Sequence, residues 1–215
     1  MYKQYRNLEP GEFIIVSGDC SQGGGDYNAC QFLSKSKLDV PLVYHARGVA
    51  ATMTSDVIPV LERIFDTTGV KPIVCFERNN GGASEMERLS VLNRLGKYQI
   101  YKMREIGVQN PQHTDKLGYT TNTATRPMML GDLKNAIDNH LLNIYDPTTI
   151  NEMFAFIIND QGKPEAEVGA HDDLIMSLAI AWQLYQTENK PLTEHTVRRI
   201  INELPVEPWK KRTFY

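Results

Sequence analysis

Residues 13–19 read Phe-Ile-Ile-Val-Ser-Gly-Asp, a short apolar run that ends in a carboxylate. Gly11 and Gly18 bound its apolar part, which is rich in β-branched side chains. A run of this length and composition is typical of a strand buried on both faces. We therefore expect it to lie inside a sheet, with Asp19 close to its carboxyl end.

The segments that follow predict a meander and then further strands. Residues 27–33 and 40–45 read as two strands joined by a hairpin turn, so we expect them to be antiparallel. Residues 72–76 have the same buried, β-branched character as the first strand, and residues 100–101 indicate another short strand. Residues 105–122 are polar, contain Gly and Pro and lack periodicity, which predicts a long loop or an extended excursion.

Apolar residues at helical spacing predict helices between and after these strands. The predicted helices cover residues 55–65, 84–95, 126–139 and 172–185. For the first of them we expect Thr54 or Ser55 as the N-cap and Gly69 as the end. Residues 172–185 are apolar on almost every side, which predicts a buried helix, and residues 152–158 read as a strand or a helix–strand junction. The order predicts an α/β fold, a mixed β-sheet flanked by helices, which is the ribonuclease H-like arrangement in outline.

Composition and chain length favour one ordinary globular domain. Of the 215 residues, 41% are apolar and 23% charged, which excludes a fibre or a disordered chain. The longest apolar runs are too short to cross a bilayer, and the charged first fifteen residues lack a secretion signal. The three cysteines form no CxxC pair, so we expect buried thiols in a reducing cytoplasm. We place the domain at residues 1–187 and a basic tail at residues 188–215.

Acidic residues stand where three of these predicted elements begin or end. Asp19 follows the first buried strand, Glu77 follows the strand at residues 72–76, and Asp172 and Asp173 open the buried helix. Each has an ordinary structural explanation, as a turn residue, an ion-pair partner or an N-cap. If the two strands are neighbours, however, their carboxyl ends point into one crevice.

Converging carboxylates repel one another and are costly to bury, and a divalent cation removes both problems. Oxygen ligands without a Cys or His pattern favour Mg²⁺ or Mn²⁺ over Zn²⁺. Two such ions, roughly 3.5–4 Å apart, would suit the in-line hydrolysis of a phosphodiester. The sequence therefore predicts a metal site made of Asp19, Glu77, Asp172 and Asp173, and it leaves open which of the last two binds metal directly.

Four stretches of the chain resemble the nuclease domain of the large terminase subunit of tailed bacteriophages. They read VSGDCSQGGGDYNA, IVCFERNNGG, GYTTNTATRPMMLGDLKNAI and AHDDLIMSLAIA, and the resemblance spans roughly residues 10–187. The TNxxTRP run before a helix and the HDDLxMSLA run are the more specific of its parts. The resemblance implies a ribonuclease H-like fold, metal-dependent cutting of concatemeric double-stranded DNA, and Asp19, Glu77 and the Asp172/Asp173 pair as metal-binding acids.

The same resemblance implies partners and a location. A packaging terminase works with a portal protein, a small terminase subunit and an ATPase motor, in the cytoplasm of the bacterial host. The sequence has no GxxxxGK[ST] loop, so we expect the motor to lie outside this chain.

Basic residues that follow the second acid are the candidates for holding DNA phosphates. They are Lys102, Arg104, Lys116, Arg126 and Lys134. The whole chain carries a net charge of −3, which argues against binding by bulk charge alone. Residues 97–142 nevertheless carry six Lys and Arg against four Asp and Glu. We therefore expect DNA binding to depend on metal, on this segment, on the tail and on a partner that delivers the duplex.

Other functions remain open at this point. The same acids would suit another ribonuclease H-like nuclease, such as a junction resolvase or an integrase core. An actin-like nucleotide-binding protein shares an Asp and a glycine-rich hairpin at its first strands, and the run Gly23 to Gly25 could cradle a phosphate, although we favour a turn. A docking module for packaging proteins is a third possibility. His171, beside the acid pair, could contact a phosphate or simply flank the helix.

Overall fold

The computed structural model describes residues 1–21, 23, 26–104, 113–158, 164–167 and 169–188. Except for its first residue, the predicted tail at residues 188–215 lies outside the described part of the chain, and so do Gly24 and Gly25 of the glycine run. The described strands are Tyr2–Gln4 (β1), Ile14–Asp19 (β2), Tyr27–Ser34 (β3), Asp39–Arg47 (β4), Ile73–Phe76 (β5), Gln99–Ile100 (β6), Lys102–Arg104 (β7), His113–Leu117 (β8), Asn143–Ile144 (β9), Phe156–Ile158 (β10) and Pro164–Ala166 (β11). The described helices are Ala50–Thr68 (α1), Gly82–Leu92 (α2), Thr125–Asp138 (α3), Pro147–Phe154 (α4) and Asp173–Thr187 (α5).

The central sheet is mixed, with strand order β1-β4-β3-β2-β5-β6 and β9 paired to β4. The meander β2-β3-β4 is antiparallel, as predicted, while β5 lies parallel to β2 on the other side. All six residues of β2 are buried, because the strand has a neighbour on each edge and helices on each face. The predicted α/β class, a ribonuclease H-like mixed β-sheet flanked by helices, is confirmed.

Two apolar clusters, one on each face of the sheet, hold the helices in place. One cluster joins Val16 and Phe32 of the sheet to the buried sides of α1 and α2. The other joins Leu33 and Ile73 to α3 and α5. Helix α5 lies between the sheet and α3, so eleven consecutive residues, Leu174 to Leu184, are buried. This position explains why the segment is apolar on almost every side, as predicted.

The predicted start of the first helix was wrong. Helix α1 begins at Ala50 after Val49, whose side chain makes no capping hydrogen bond. Thr54 is buried inside the helix, and Ser55 donates its hydroxyl hydrogen bond back to the carbonyl of Ala51, 3.0 Å away. Both residues are good caps in isolation, but one more turn lets the helix bury further side chains against the sheet. The predicted end at Gly69 is confirmed, with φ +70°.

The predicted loop at residues 105–122 was also wrong in part. Residues 113–117 form β8, which pairs antiparallel with β7. Residues 105–112 lie outside the described part of the chain. The predicted helix–strand junction at residues 152–158 is confirmed, since α4 ends at Phe154 and β10 starts at Phe156.

None of the described helices has a stretch that is both long and apolar enough to cross a membrane.

Candidate active site

The carboxyl ends of β2 and β5 meet at one edge of the sheet. The strands are parallel with Gly18 opposite Phe76, and the backbone N–H of Glu77 donates to the carbonyl of Gly18 at 2.7 Å. Asp19 is the last residue of β2, and Glu77 directly follows β5. The neighbouring strands predicted from the sequence thus bring these two carboxylates together.

The amino end of α5 points to the same edge. The helix packs on β2 and β3, and Ser17 Oγ donates to the carbonyl of Ser177 at 2.5 Å. Asp172 and Asp173, at the first turn of α5, therefore face the ends of β2 and β5. A cleft of about 640 Å³ opens here. Its lining residues are Asp19, Asp26, Glu77, Asn79, Asn80, Thr121, Asn122, Thr123, Arg126, Ala170, His171, Asp172 and Asp173.

Asp19 and Glu77 form a tightly coupled, buried pair at the floor of the cleft. Their exposed fractions are 8% and 5%. Burial is the largest cause that raises the pKa of each, and the charge of Glu77 and a hydrogen bond to it raise the pKa of Asp19 further. A cation bound between the two carboxyl groups would favour their charged forms and so oppose both shifts.

Polar side chains from two other segments orient Glu77. Asn79 Nδ2 donates to Glu77 Oε1 at 2.8 Å, and the Thr121 hydroxyl donates to the same oxygen. Asn79 Nδ2 also lies 2.8 Å from Thr121 Oγ1. The TNxxTRP segment thus reaches the acids through Thr121, while Asn122 Oδ1 caps α3 by accepting from Ala124 N and Thr125 N, each at 2.9 Å.

The two aspartates of α5 have different surroundings. Asp172 holds the N-cap position but makes no capping hydrogen bond, and it forms an ion pair with Arg126 instead. Asp173 Oδ2 is buried and accepts no hydrogen bond, and His171 Nδ1 lies 3.8 Å from it. Burial, followed by the charge of Asp172, raises the pKa of Asp173 to about 6.

Glu152 of α4 supplies the cap that Asp172 does not. Its Oε2 accepts from the backbone N–H of Leu174 at 2.9 Å and of Ile175 at 3.2 Å. Burial, opposed by these hydrogen bonds, raises the pKa of Glu152 to about 8. Nothing in the sequence around Glu152 marked this role, because α4 and α5 meet only in the folded chain.

The acids fit a hard divalent cation by their chemistry, although their side chains are not gathered around one point. Among the described residues, no three His, Cys, Asp or Glu side chains stand close enough to hold one ion. Glu77 is turned towards Thr121, and Asp172 towards Arg126. The donor set is nevertheless all oxygen, mostly buried, and includes the unpartnered Oδ2 of Asp173. Such a set matches the ligands that Mg²⁺ and Mn²⁺ prefer.

The five predicted phosphate-binding residues are found in different places. Arg126 lines the cleft. Lys102 and Lys116 are exposed on the β7–β8 pair, and Lys134 forms an ion pair with Asp138 on the surface of α3. The side chain of Arg104 lies outside the described part of the chain. Their contact with DNA stays a prediction.

Two cleft residues, Asp26 and Asn79, were missed along with Glu152. Asn79 lies in the turn that follows Glu77, and the sequence of this turn gave no sign that the Asn79 amide would donate to Glu77. Of the glycine run, Gly23 has φ +94° and donates its N–H to Ser21 Oγ at 2.9 Å, which is typical of a turn.

No protein-family model matches the sequence. Solved structures do match the fold. The large terminase nuclease from thermophilic phage G20c superimposes with a TM-score of 0.58 at 19% identity, over 85% of this chain and 86% of that one. The P22 large terminase nuclease domain gives 0.54 at 10%, over 86% and 87%.

The human cytomegalovirus terminase nuclease domain, soaked with Mn, gives a TM-score of 0.55 at 12% identity, over 81% of this chain and 84% of that one. Structures of the G20c nuclease also exist with bound magnesium, cobalt and zinc. This chain therefore has the fold of the terminase nuclease domains, a ribonuclease H-like mixed sheet flanked by helices.

Proposed function

We propose that this chain is the nuclease domain of the large subunit of a tailed-bacteriophage DNA-packaging terminase. The observation that carries the proposal is the meeting of Asp19, Glu77, Asp172 and Asp173 at one cleft. The fold places them at the end of β2, after β5 and at the start of α5. A structural role alone does not account for them, since Asp19 and Glu77 are buried beside each other and their burial raises the pKa of both.

Asp19, Glu77 and the aspartates of α5 would hold one or two divalent ions, Mg²⁺ or Mn²⁺. When bound, such ions activate water and stabilise the departing oxygen of a phosphodiester. The four carboxylates carry up to four negative charges, so two divalent ions would balance them. Asp173 is the stronger candidate for a direct ligand, because its Oδ2 is buried and lacks a hydrogen-bond donor.

Other residues in and beside the cleft orient the acids or can bind phosphate. Asn79 and Thr121 hold Glu77 Oε1 from one side and so restrict the direction in which the carboxylate faces. Arg126 balances Asp172 in the metal-free protein, and its guanidinium can turn to a phosphate oxygen once a cation satisfies that aspartate. Glu152 holds the first turn of α5 and thereby the position of both aspartates.

The substrate that suits this proposal is concatemeric double-stranded DNA, cut into genome units in the cytoplasm of the bacterial host. The motor that moves the DNA, the small terminase subunit and the portal protein would be separate partners. DNA binding by the isolated chain should be weak and sensitive to salt, because the motor that would hold the duplex is a separate partner.

Cleavage of supercoiled plasmid tests the proposal. With Mg²⁺ or Mn²⁺ we expect nicked and then linear DNA, and we expect neither with EDTA. Asp19→Asn should lower the rate at least about 100-fold, since it removes a buried ligand. Asp138→Asn, on the exposed surface of α3, is the matched control and should cut like the wild type. Cleavage that persists in Asp19→Asn or in EDTA would refute the proposed metal site.

A further inference from the structure

A second set of side chains lies beside the cleft, at the ends of β3 and β4. In the strand register, Asp19 is opposite Ala29, Ala29 is opposite His45, and Tyr27 is opposite Arg47. Side chains alternate along a strand, and directly opposite residues share a face. Tyr27, His45 and Arg47 therefore stand on the same face of the sheet as Asp19, past the amino end of α5.

The ring of Tyr27 is the centre of this set. The Arg47 guanidinium carbon lies 5.0 Å from its centroid, and His45 stacks on it with centroids 4.2 Å apart. His171 meets Tyr27 edge-on at 5.2 Å. Since His171 and Asp26 both line the cleft, the set continues directly from the proposed site. We refer to Tyr27, Arg47 and His171 as the rim.

The rim presents donors to solvent. Arg47 is exposed, and it forms no ion pair with any carboxylate of the described residues. The side chain of His171 is 45% exposed, and its Nδ1 lies 3.8 Å from Asp173 Oδ2. Arg126 and Lys134 differ, because each is paired with an aspartate in the folded chain.

We propose that the rim binds the sugar-phosphate backbone of duplex DNA beside the cleft, with the Arg47 guanidinium donating to phosphate oxygens. The proposal rests on the proposed nuclease function and adds a contact surface to it. The rim lies on the β3–β4 side of the cleft, whereas Arg126 approaches from α3. DNA spanning both would cross the acids between them.

Tyr27 is the positioning residue of the rim. A guanidinium held against an aromatic face loses less rotamer freedom when it binds a phosphate, which favours binding. Phosphate is the expected partner, because an exposed guanidinium forms charge-assisted hydrogen bonds with phosphate oxygens along any duplex. The contact should therefore depend on salt and not on sequence.

The test is the salt dependence of duplex binding, measured by fluorescence anisotropy in Ca²⁺ between 50 and 200 mM NaCl, with the duplex checked for integrity on a gel. Removal of one phosphate-binding cation lowers the slope of log affinity against log salt by about 0.9, or about threefold in affinity across this range. We expect Arg47→Gln to lower the slope by about this amount. Arg63→Gln is the matched control, since Arg63 is exposed in a separate groove with Tyr2 and Leu42.

Three further variants separate the contribution of the Arg47 charge from that of the Tyr27 ring. Arg47→Lys keeps the charge and should retain the wild-type slope. Tyr27→Phe keeps the ring and should bind like the wild type, whereas Tyr27→Leu should bind more weakly with its slope retained. Circular dichroism and thermal unfolding check that each variant is folded.

The outcomes distinguish this proposal from the proposed function. If the wild type binds DNA and a folded Arg47→Gln shows the same slope and affinity, the proposed role of the rim is refuted. The nuclease assignment would remain intact. A folded Arg47→Lys that loses the slope would also refute the role of the rim. A wild-type protein that neither binds nor cuts duplex DNA would overturn both.

Discussion

Replacing Asp173 by asparagine should stabilise the metal-free protein at pH 8 while it abolishes cutting. Asp173 Oδ2 is buried without a hydrogen-bond donor, next to Asp172 and close to Asp19. Burial raises the pKa of Asp173 from 3.8 to about 6. Asparagine has nearly the same shape and carries no charge, so it removes the cost of burying this carboxylate.

The magnitude follows from the pKa. The rise of the pKa from 3.8 to about 6 corresponds to about 3 kcal/mol of stability lost when the ionised carboxylate is buried. The side chain keeps 19% of its surface exposed, and the amino end of α5 favours a negative charge. We therefore expect Asp173→Asn to raise the free energy of unfolding by about 1–2 kcal/mol. Because the pKa is raised on folding, the cost is absent below about pH 4 and complete above about pH 6–7. The gain should therefore appear at pH 8 and vanish at pH 4.

Urea unfolding in EDTA at both pH values measures the free energy of unfolding. Asp138→Asn, on the exposed surface of α3, serves as the control, and its free energy of unfolding should match that of the wild type within about 0.5 kcal/mol. Added Mn²⁺ should stabilise the wild type more than Asp173→Asn, because the ion binds the folded state through this carboxylate. An equal gain at both pH values, a loss at pH 8, or Mn²⁺-dependent cutting by the variant would refute the reasoning.

Three other substitutions have defined outcomes. Thr121→Val removes a hydroxyl donor from Glu77, so titration calorimetry should show Mn²⁺ affinity lowered about 10- to 100-fold with the fold retained. Unchanged affinity would contradict the proposed role of Thr121 in orienting Glu77. Glu152→Ala leaves two backbone N–H groups at the start of α5 without a partner, and urea unfolding should show a loss of about 1–3 kcal/mol, with a smaller loss for Glu152→Gln. Gly118→Ala should lower the free energy of unfolding by more than about 2 kcal/mol, because φ is +86° and a Cβ would lie 2.6 Å from a β5 carbonyl oxygen. Gly11→Ala, at φ +83° but in open space, should lower it by only about 1 kcal/mol. Equal losses would disprove the steric argument.

Much of the fold was predictable because burial on both faces leaves a local pattern. Residues 13–19 and 72–76 are short, β-branched and unbroken, and they form the neighbouring strands β2 and β5. Residues 172–185 are apolar on almost every side, because α5 is buried between the sheet and α3. The acids that end or open these segments were visible for the same reason, since each interrupts an apolar run.

The rest depends on contacts between distant parts of the chain. Strand β1 pairs with β4 about forty residues later, and the two-residue strand β9 pairs with β4 about one hundred residues away, so neither has a local pattern. Asn79 and Glu152 look like a turn residue and a helix residue. Their contacts with Glu77 and with the first turn of α5 exist only because the sheet and helices bring them together.

The most direct test of the central claim is the position of Mn²⁺ in crystals of this chain, located by anomalous diffraction. We predict one or two anomalous peaks inside the cleft, coordinated by Asp19, Glu77 and Asp173, with the ion pair between Arg126 and Asp172 opened or shifted. Mn²⁺ found only outside the cleft, in protein that still cuts DNA, would contradict the account.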